Sequence, residues 1–262
     1  MDIDRKSAIG RSFGKAAAQY DDLALFQRQI NDRMASLLPT FVPAGFTPGR
    51  ILDAGCGTGL GIPALKAFWP EARITGCDLS EGMVLEARRK GFEALVCDIE
   101  NLPFPFGAFD LVWSSLSLQW CHPYRARSEF SRVLSYGGCL FFSTLAPGTL
   151  KEVDYAFSGL DTSEHVIQFV DVDRLRGVLS LASFTELELI QETHQVFYPT
   201  IRDVMASIKG IGAGHVDQRR NGLLGRKAWE RIQARYESLK TDKGLPVTYE
   251  VIIASARVNM AK

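Results

Sequence analysis

A chain of 262 residues with an apolar fraction of 46% is long enough to bury one large core. Its 30 basic and 30 acidic residues balance, which argues against the diffuse positive field that non-specific nucleic-acid or membrane binding usually needs. The N-terminus has no apolar run behind its charges, and no stretch approaches the ~18 apolar residues of a membrane span, so the expected location is the cytoplasm.

Residues 1–48 read as a helical cover ahead of a core. From 49 to 146 strand and helix signals alternate. "RILDAG" is a strand ending in glycine, "GIPALKAFW" a helix and "ARITGCDL" a second strand. "SEGMVLEARRKG" opens on Ser80 as an N-cap and closes on Gly91 as a C-cap. "FEALVCDI" and "FDLVWSSL" are the third and fourth strands, "PYRARSEFSRVL" a helix and "GCLFFSTL" the fifth strand. This alternation predicts a parallel sheet with helices on both faces. Residues 147–182 read as a helical lid insertion. In 183–262 the strands "TELELIQETHQVFYP" and "LPVTYEVIIASARV" are separated by helical stretches, and the last adds antiparallel. The expected fold is α/β, Rossmann-like and doubly wound, with a mostly parallel seven-stranded sheet. The five cysteines form no CxxC pair and the four histidines are scattered, a pattern of free thiols in a reducing compartment with no metal site.

The turn after the first strand, "ILDAGCGTGLG", holds four glycines between positions 55 and 61. A dinucleotide fingerprint needs a sixth-position glycine. Leu60 stands there counting from Gly55, and Ile62 counting from Gly57. No Lys-Ser or Lys-Thr follows, so a P-loop fails as well. What remains is Asp53 followed by Gly55, Gly57 and Gly59. A carboxylate here repels a pyrophosphate but attracts an ammonium group, and a ligand with adenosine at one end and an ammonium near the other is S-adenosylmethionine. Asp78, ending the second strand, stands where acids accept hydrogen bonds from ribose hydroxyls. Asp98, ending the third, can meet an adenine amino group, and Met83 can pack on the adenine or simply fill the core. Asp110 opens the fourth strand, where capping explains it as well as a ligand does; Ser114 and Ser115 lie at that strand's far end.

"LDAGCGTG", "GCDLS", "CDIENLPF" and "FDLVWSSLSLQW" together resemble the class I S-adenosylmethionine-dependent methyltransferases over roughly residues 48–146. "RSFGKAAAQYDDLALFQRQ", "SSLSLQWC", "GTLKEV", "IKGIGA" and the terminal "GLPVTYEVIIASA" resemble more narrowly the malonyl-[acyl-carrier-protein] O-methyltransferases of biotin synthesis. The resemblance implies a cofactor shell that also takes in Leu79, Ile99, Ser114 and Gln119. It further implies methylation of the free carboxylate of a malonyl thioester on acyl carrier protein. A carboxylate is ionised at neutral pH and needs no general base to attack a sulfonium methyl, so alignment and water exclusion carry the reaction.

Tyr20 is then a candidate donor to a carboxylate, and Trp120 a wall of the transfer site, although either can be a packing residue. A cation suits the malonyl carboxylate: Arg174 and Arg202 are the lid-side choices, with His122 and Arg125 near the rim. Lys227, Arg231 and Arg235 recur at four-residue steps on one helix face and form a candidate docking stripe for an acidic carrier protein, or a plain solvated face. The alternatives are a methyltransferase acting on another small acceptor (a quinone or small carboxylic acid, with His122 as base), a non-catalytic S-adenosylmethionine-binding protein, and a nicotinamide oxidoreductase.

Overall fold

The computed structural model of the protein describes residues 3–159, 166–180, 184–210 and 225–259. Part of the expected lid (160–165, 181 and 182) and the late "IKGIGA" motif from Ile211 onward lie outside the described residues. The N-terminal region forms helices α1 (Ile3–Ala16), α2 (Tyr20–Leu23) and α3 (Leu25–Phe41). The alternating core follows as β1 (Arg50–Ala54), α4 (Ile62–Phe68), β2 (Arg73–Asp78), α5 (Glu81–Arg89), β3 (Ala94–Val96), β4 (Phe109–Ser114), α6 (Pro123–Val133) and β5 (Leu134–Leu145). Then come α7 (Lys151–Phe157), α8 (Val172–Ser180), β6 (Phe184–Tyr198), α9 (Ile201–Gly210), α10 (Arg226–Glu237) and β7 (Leu245–Val258).

Local chemistry sets several of these boundaries. The Ser80 hydroxyl accepts from Met83 N at 3.4 Å, capping α5. Gly91, just past the end of α5, has φ +85°. The third strand is shorter than its apolar run: Val96 is exposed and only Ala94–Val96 pair with β2.

Among the described residues seven strands form one sheet in the order β3-β2-β1-β4-β5-β7-β6. Strands β1 to β5 pair in parallel, whereas β7 runs antiparallel to both β5 and β6, and lies between them. Side chains alternate between two apolar layers. Ile51, Leu111, Trp113, Phe141 and Ile253 join one with residues of α3, α4, α7 and α10. Leu52, Val112, Leu140, Phe142 and Ile252 join the other with residues of α6 and α8. Strand order reverses between β1 and β4, and in an open α/β sheet the crevice at that switch point, beyond the carboxyl ends of the strands, is where ligands bind.

The N-terminal helices close over that crevice. Helix α1 packs on α5 across Gly14 and Gly82, with Gly10 against Leu79 just before that helix. Asp21 of α2 accepts from Thr58 Oγ1 at 2.5 Å and pairs with Lys90, tying the cover to the glycine turn. No helix among the described residues is long and apolar enough to cross a membrane.

Candidate active site

A cleft with an empty volume of about 1440 Å³, its mouth included, opens at the carboxyl ends of β1, β2 and β4. Of the residues expected there, Tyr20, Asp53, Gly55, Gly57, Asp78, Leu79, Met83, Asp98, Ile99, Gln119 and Trp120 all line it. They come from five separate segments of the chain, so the fold alone assembles them.

The glycine turn is held by the acid that ends β2. Asp78 accepts from Gly57 N at 2.9 Å through Oδ2 and from Ser80 N at 2.8 Å through Oδ1. Burial raises its pKa, while those backbone donors pull the other way. Gly55 has φ +76°, and a Cβ there would fall 2.1 Å from Ser117 Oγ, so only glycine fits.

Asp53 ends β1 almost wholly buried, and its Oδ2 has no hydrogen-bond partner. Burial, and then the charge of Asp78, pushes its pKa up to about 8. Three other buried polar atoms lack partners nearby: Gln27 Oε1, Asn31 Oδ1 and Trp113 Nε1. Two of them converge with Asp53 beside Gly61, where an added Cβ would meet Trp113 Nε1 at 2.8 Å, Asn31 Oδ1 at 3.1 Å and Asp53 Oδ2 at 3.5 Å, while Gln27 also lines the cleft. Trp113 Nε1 is a donor, but Asp53 Oδ2, Asn31 Oδ1 and Gln27 Oε1 are acceptors. Orphaned buried acceptors are costly, and a cationic group entering the cleft is the chemistry that satisfies them.

The other end of the cleft is set by Lys6, which reaches from α1 to Asp98 Oδ2 at 2.5 Å and to Glu100 Oε2 at 2.8 Å. Asp98 Oδ1 accepts from Glu100 N at 2.9 Å. On the rim, Trp120 meets Phe13 edge-on at 5.8 Å between ring centroids. Gln119 braces the loop, donating to Leu116 O at 2.5 Å, and Leu116 itself sits at φ +49°. Burial raises the pKa of Tyr20 and of the lining thiols Cys56 and Cys121, so all three stay protonated at neutral pH. No described histidine lines the cleft.

Four expected site residues stand elsewhere. Ser114 is fully buried and donates to Ala54 O at 2.8 Å; strand alternation turns it into the sheet, and Ser115 lines the cleft instead. Gly59 is a packing glycine, since a Cβ there would strike the Phe92 ring at 2.5 Å. Arg174 is exposed on α8 and lines a neighbouring cavity. Arg202 is exposed on α9, which sends Ile208 into the cleft. His122 and Arg125 do not line the cleft either: the His122 backbone N donates to Glu100 Oε1 at 2.7 Å, and Arg125 approaches the same carboxylate at 3.8 Å. Asp110 binds Gly49 N, Arg50 and Ser135 at the opposite end of the sheet. On α10, Lys227 and Arg231 are exposed, but Arg235 donates to Ser158 O and lies 5.9 Å over the Tyr155 ring, so it is not part of a free stripe.

Lys6, Gln27 and Asn31 escaped the sequence reading. A signal existed for Asn31, which sits on the apolar face that carries Ile30, Met34 and Leu38. A polar residue on such a stripe is the informative kind.

Fold and cleft together define a methyltransferase: residues 52–142 match the family model described as a methyltransferase domain. Solved structures share the fold. The YcgJ protein of Bacillus subtilis matches at TM-score 0.60 and 17% identity, over 88% of this chain and all of that one. The [4+2]-cyclase SpnF also matches, at TM-score 0.53 and 22% identity over 88% and 82% of the two chains, so the fold by itself does not choose a reaction. The nearer kinship is end to end. The malonyl-[acyl-carrier protein] O-methyltransferase of Laribacter hongkongensis (strain HLHK9) is 42% identical over 96% of this chain and 89% of its own length. That of Herminiimonas arsenicoxydans is 40% identical over 100% and 99%. The chain belongs to the malonyl-[acyl-carrier protein] O-methyltransferase family.

Proposed function

We propose that the protein moves the methyl group of S-adenosylmethionine to the free carboxylate of a malonyl thioester on acyl carrier protein, in the cytoplasm. The methyl ester so formed masks a charge and lets the acyl chain enter pimeloyl synthesis for biotin. The observation that carries this reading is the end-to-end similarity to relatives of that name, joined to a cleft whose orphaned acceptors suit a cationic amino-acid group.

Bound S-adenosylmethionine supplies an electrophilic methyl group. Asp53, Asn31 and Gln27 would accept from its ammonium group, Asp78 from the ribose hydroxyls, and Asp98, held by Lys6, from the adenine amino group. Gly55 and Gly57 keep the turn open, while Leu79, Met83 and Ile99 pack the adenosine. Tyr20, kept protonated by burial, orients the acceptor carboxylate as a donor, and Trp120 with Phe13 walls the reacting atoms from water. Residues 1–48 act as cover, 49–146 as cofactor core and 147–182 as lid, with 183–262 completing the sheet. The acceptor arrives already ionised, so its own oxygen lone pair makes the new bond and no protein base is required.

The titration of Asp53 gives a pH test. With its pKa near 8 in the unliganded protein, Asp53 is mostly protonated at pH 6 and must lose that proton to meet a cation. Affinity for S-adenosylhomocysteine, which carries the same ammonium group, is therefore expected to rise from pH 6 to 7.5, by at most about tenfold per unit. Asp53→Asn should flatten that rise in calorimetric titrations; an unaltered slope would remove Asp53 from the ammonium contact.

Carrier recognition is assigned to Lys227 and Arg231, whose exposed charges suit an acidic protein despite zero net charge. The pair Lys227→Glu and Arg231→Glu should raise KM for malonyl-carrier protein about tenfold, as rim charges typically act on association. Affinity for S-adenosylhomocysteine should not change. Malonyl-carrier protein should be methylated and acetyl-carrier protein, which lacks the carboxylate, should not; equal labelling of both would overturn the assigned acceptor.

A further inference from the structure

A second cavity, with an empty volume of about 930 Å³, its open mouth included, lies between α6, α8 and β5. It shares Gln119, Cys121 and Phe169 with the cofactor cleft, so the two spaces are separated by one layer of side chains. The lid segment makes part of that partition. Val166 and Ile167 line the cofactor side, Gln168 and Val170 the far side, and Phe169 both.

The chemistry of the second cavity is distinctive. Its walls are apolar, from Phe130, Phe142, Leu175, Val178 and Leu179, yet Arg5, Arg127 and Arg174 also line it and no acid does. Arg127 Nε and Nη1 are buried with no hydrogen-bond partner. Arg127 as a whole is half-buried, yet two guanidinium nitrogens withdrawn from water without an acceptor are costly, and an anion placed against them removes the cost. Arg174 is exposed, so this charged end reaches solvent. An apolar cavity with one solvent-reaching arginine, unpaired guanidinium nitrogens inside and a thin wall toward the methyl donor fits a long flexible chain that is anionic at one end and reactive at the other.

We propose that this cavity receives the pantetheine-type arm of the thioester substrate. The arm's phosphodiester meets Arg127 and Arg174, its chain lies along the apolar walls, and its acyl end passes Gln119 and Cys121 into the cofactor cleft. This assignment rests on the activity proposed above. It also gives Arg174 a different partner from the malonyl carboxylate expected from sequence.

The test is calorimetric titration of the full chain, loaded with S-adenosylhomocysteine, using 4′-phosphopantetheine and unphosphorylated pantetheine as probes. The phosphorylated probe should bind about tenfold more tightly or better, the scale of a charge-assisted contact. Arg127→Gln should abolish that preference without altering pantetheine or S-adenosylhomocysteine affinity, and Arg127→Lys should retain part of it. If Arg127→Gln also weakens S-adenosylhomocysteine binding, the exposed Arg174→Gln must still reduce the preference selectively. Equal affinity for the two probes, or equal losses on both, would overturn the assignment. A preparation that methylates malonyl-carrier protein yet shows no phosphate preference overturns the arm site alone. One that methylates no malonyl thioester overturns the activity beneath it.

Discussion

Asp78→Ala is expected to weaken S-adenosylhomocysteine binding about a hundredfold or more, because it removes two kinds of contact at once. The wild-type carboxylate holds Gly57 N and Ser80 N, at 2.9 and 2.8 Å, and so fixes the shape of the turn and the start of α5. It is also the acid placed for the ribose hydroxyls. A hydrogen bond to a charged group contributes about 1.5–3 kcal/mol, and each 1.4 kcal/mol is tenfold in affinity. Asp78→Asn, which keeps one oxygen acceptor, should fall between the two. Titration calorimetry with circular dichroism as a folding control decides it; near-wild-type affinity in folded Asp78→Ala would take this residue out of the cofactor site.

The second large effect is steric. Gly55→Ala places a methyl group 2.1 Å from Ser117 Oγ and 2.5 Å from Ser117 Cβ, on a residue at φ +76°. Left-handed backbone costs a non-glycine residue roughly 1–2 kcal/mol, and overpacking adds about 1–3 kcal/mol. We expect a loss of about 3 kcal/mol in unfolding free energy, read from denaturant midpoints, together with severe loss of cofactor binding. Gly55→Ala combined with Ser117→Gly should recover the overlap and retain the backbone strain. A neutral single variant would contradict this account of the turn.

What the sequence disclosed follows the range of the interactions involved. The Ser80 cap, Gly91 and the glycine turn are settled within a few residues, and all were readable. Strand alternation gave the two apolar layers, but not that β7 lies between β5 and β6, since that choice is made by pairing over long sequence distances. Acids at strand ends could be assigned to the cleft because parallel strands bring their carboxyl ends to one side. Arg174 and Arg202 could not be placed, because their orientation depends on how lid helices pack, and both are exposed in the fold. Ser114 and Ser115 differ by a single step of strand parity. Lys6 carries no local signal at all: its role exists only because α1 lies across α5 and brings it to Asp98 and Glu100.

The central claim is that a methyl group passes from sulfur to a malonyl carboxylate oxygen in this cleft. Malonyl-carrier protein incubated with the enzyme and S-adenosylmethionine labelled in its methyl group tests that claim most directly. The account predicts one labelled methyl per malonyl group, released as methanol by mild alkali as an ester must be. Label that resists alkali, or that fails to appear on malonyl-carrier protein, would contradict it.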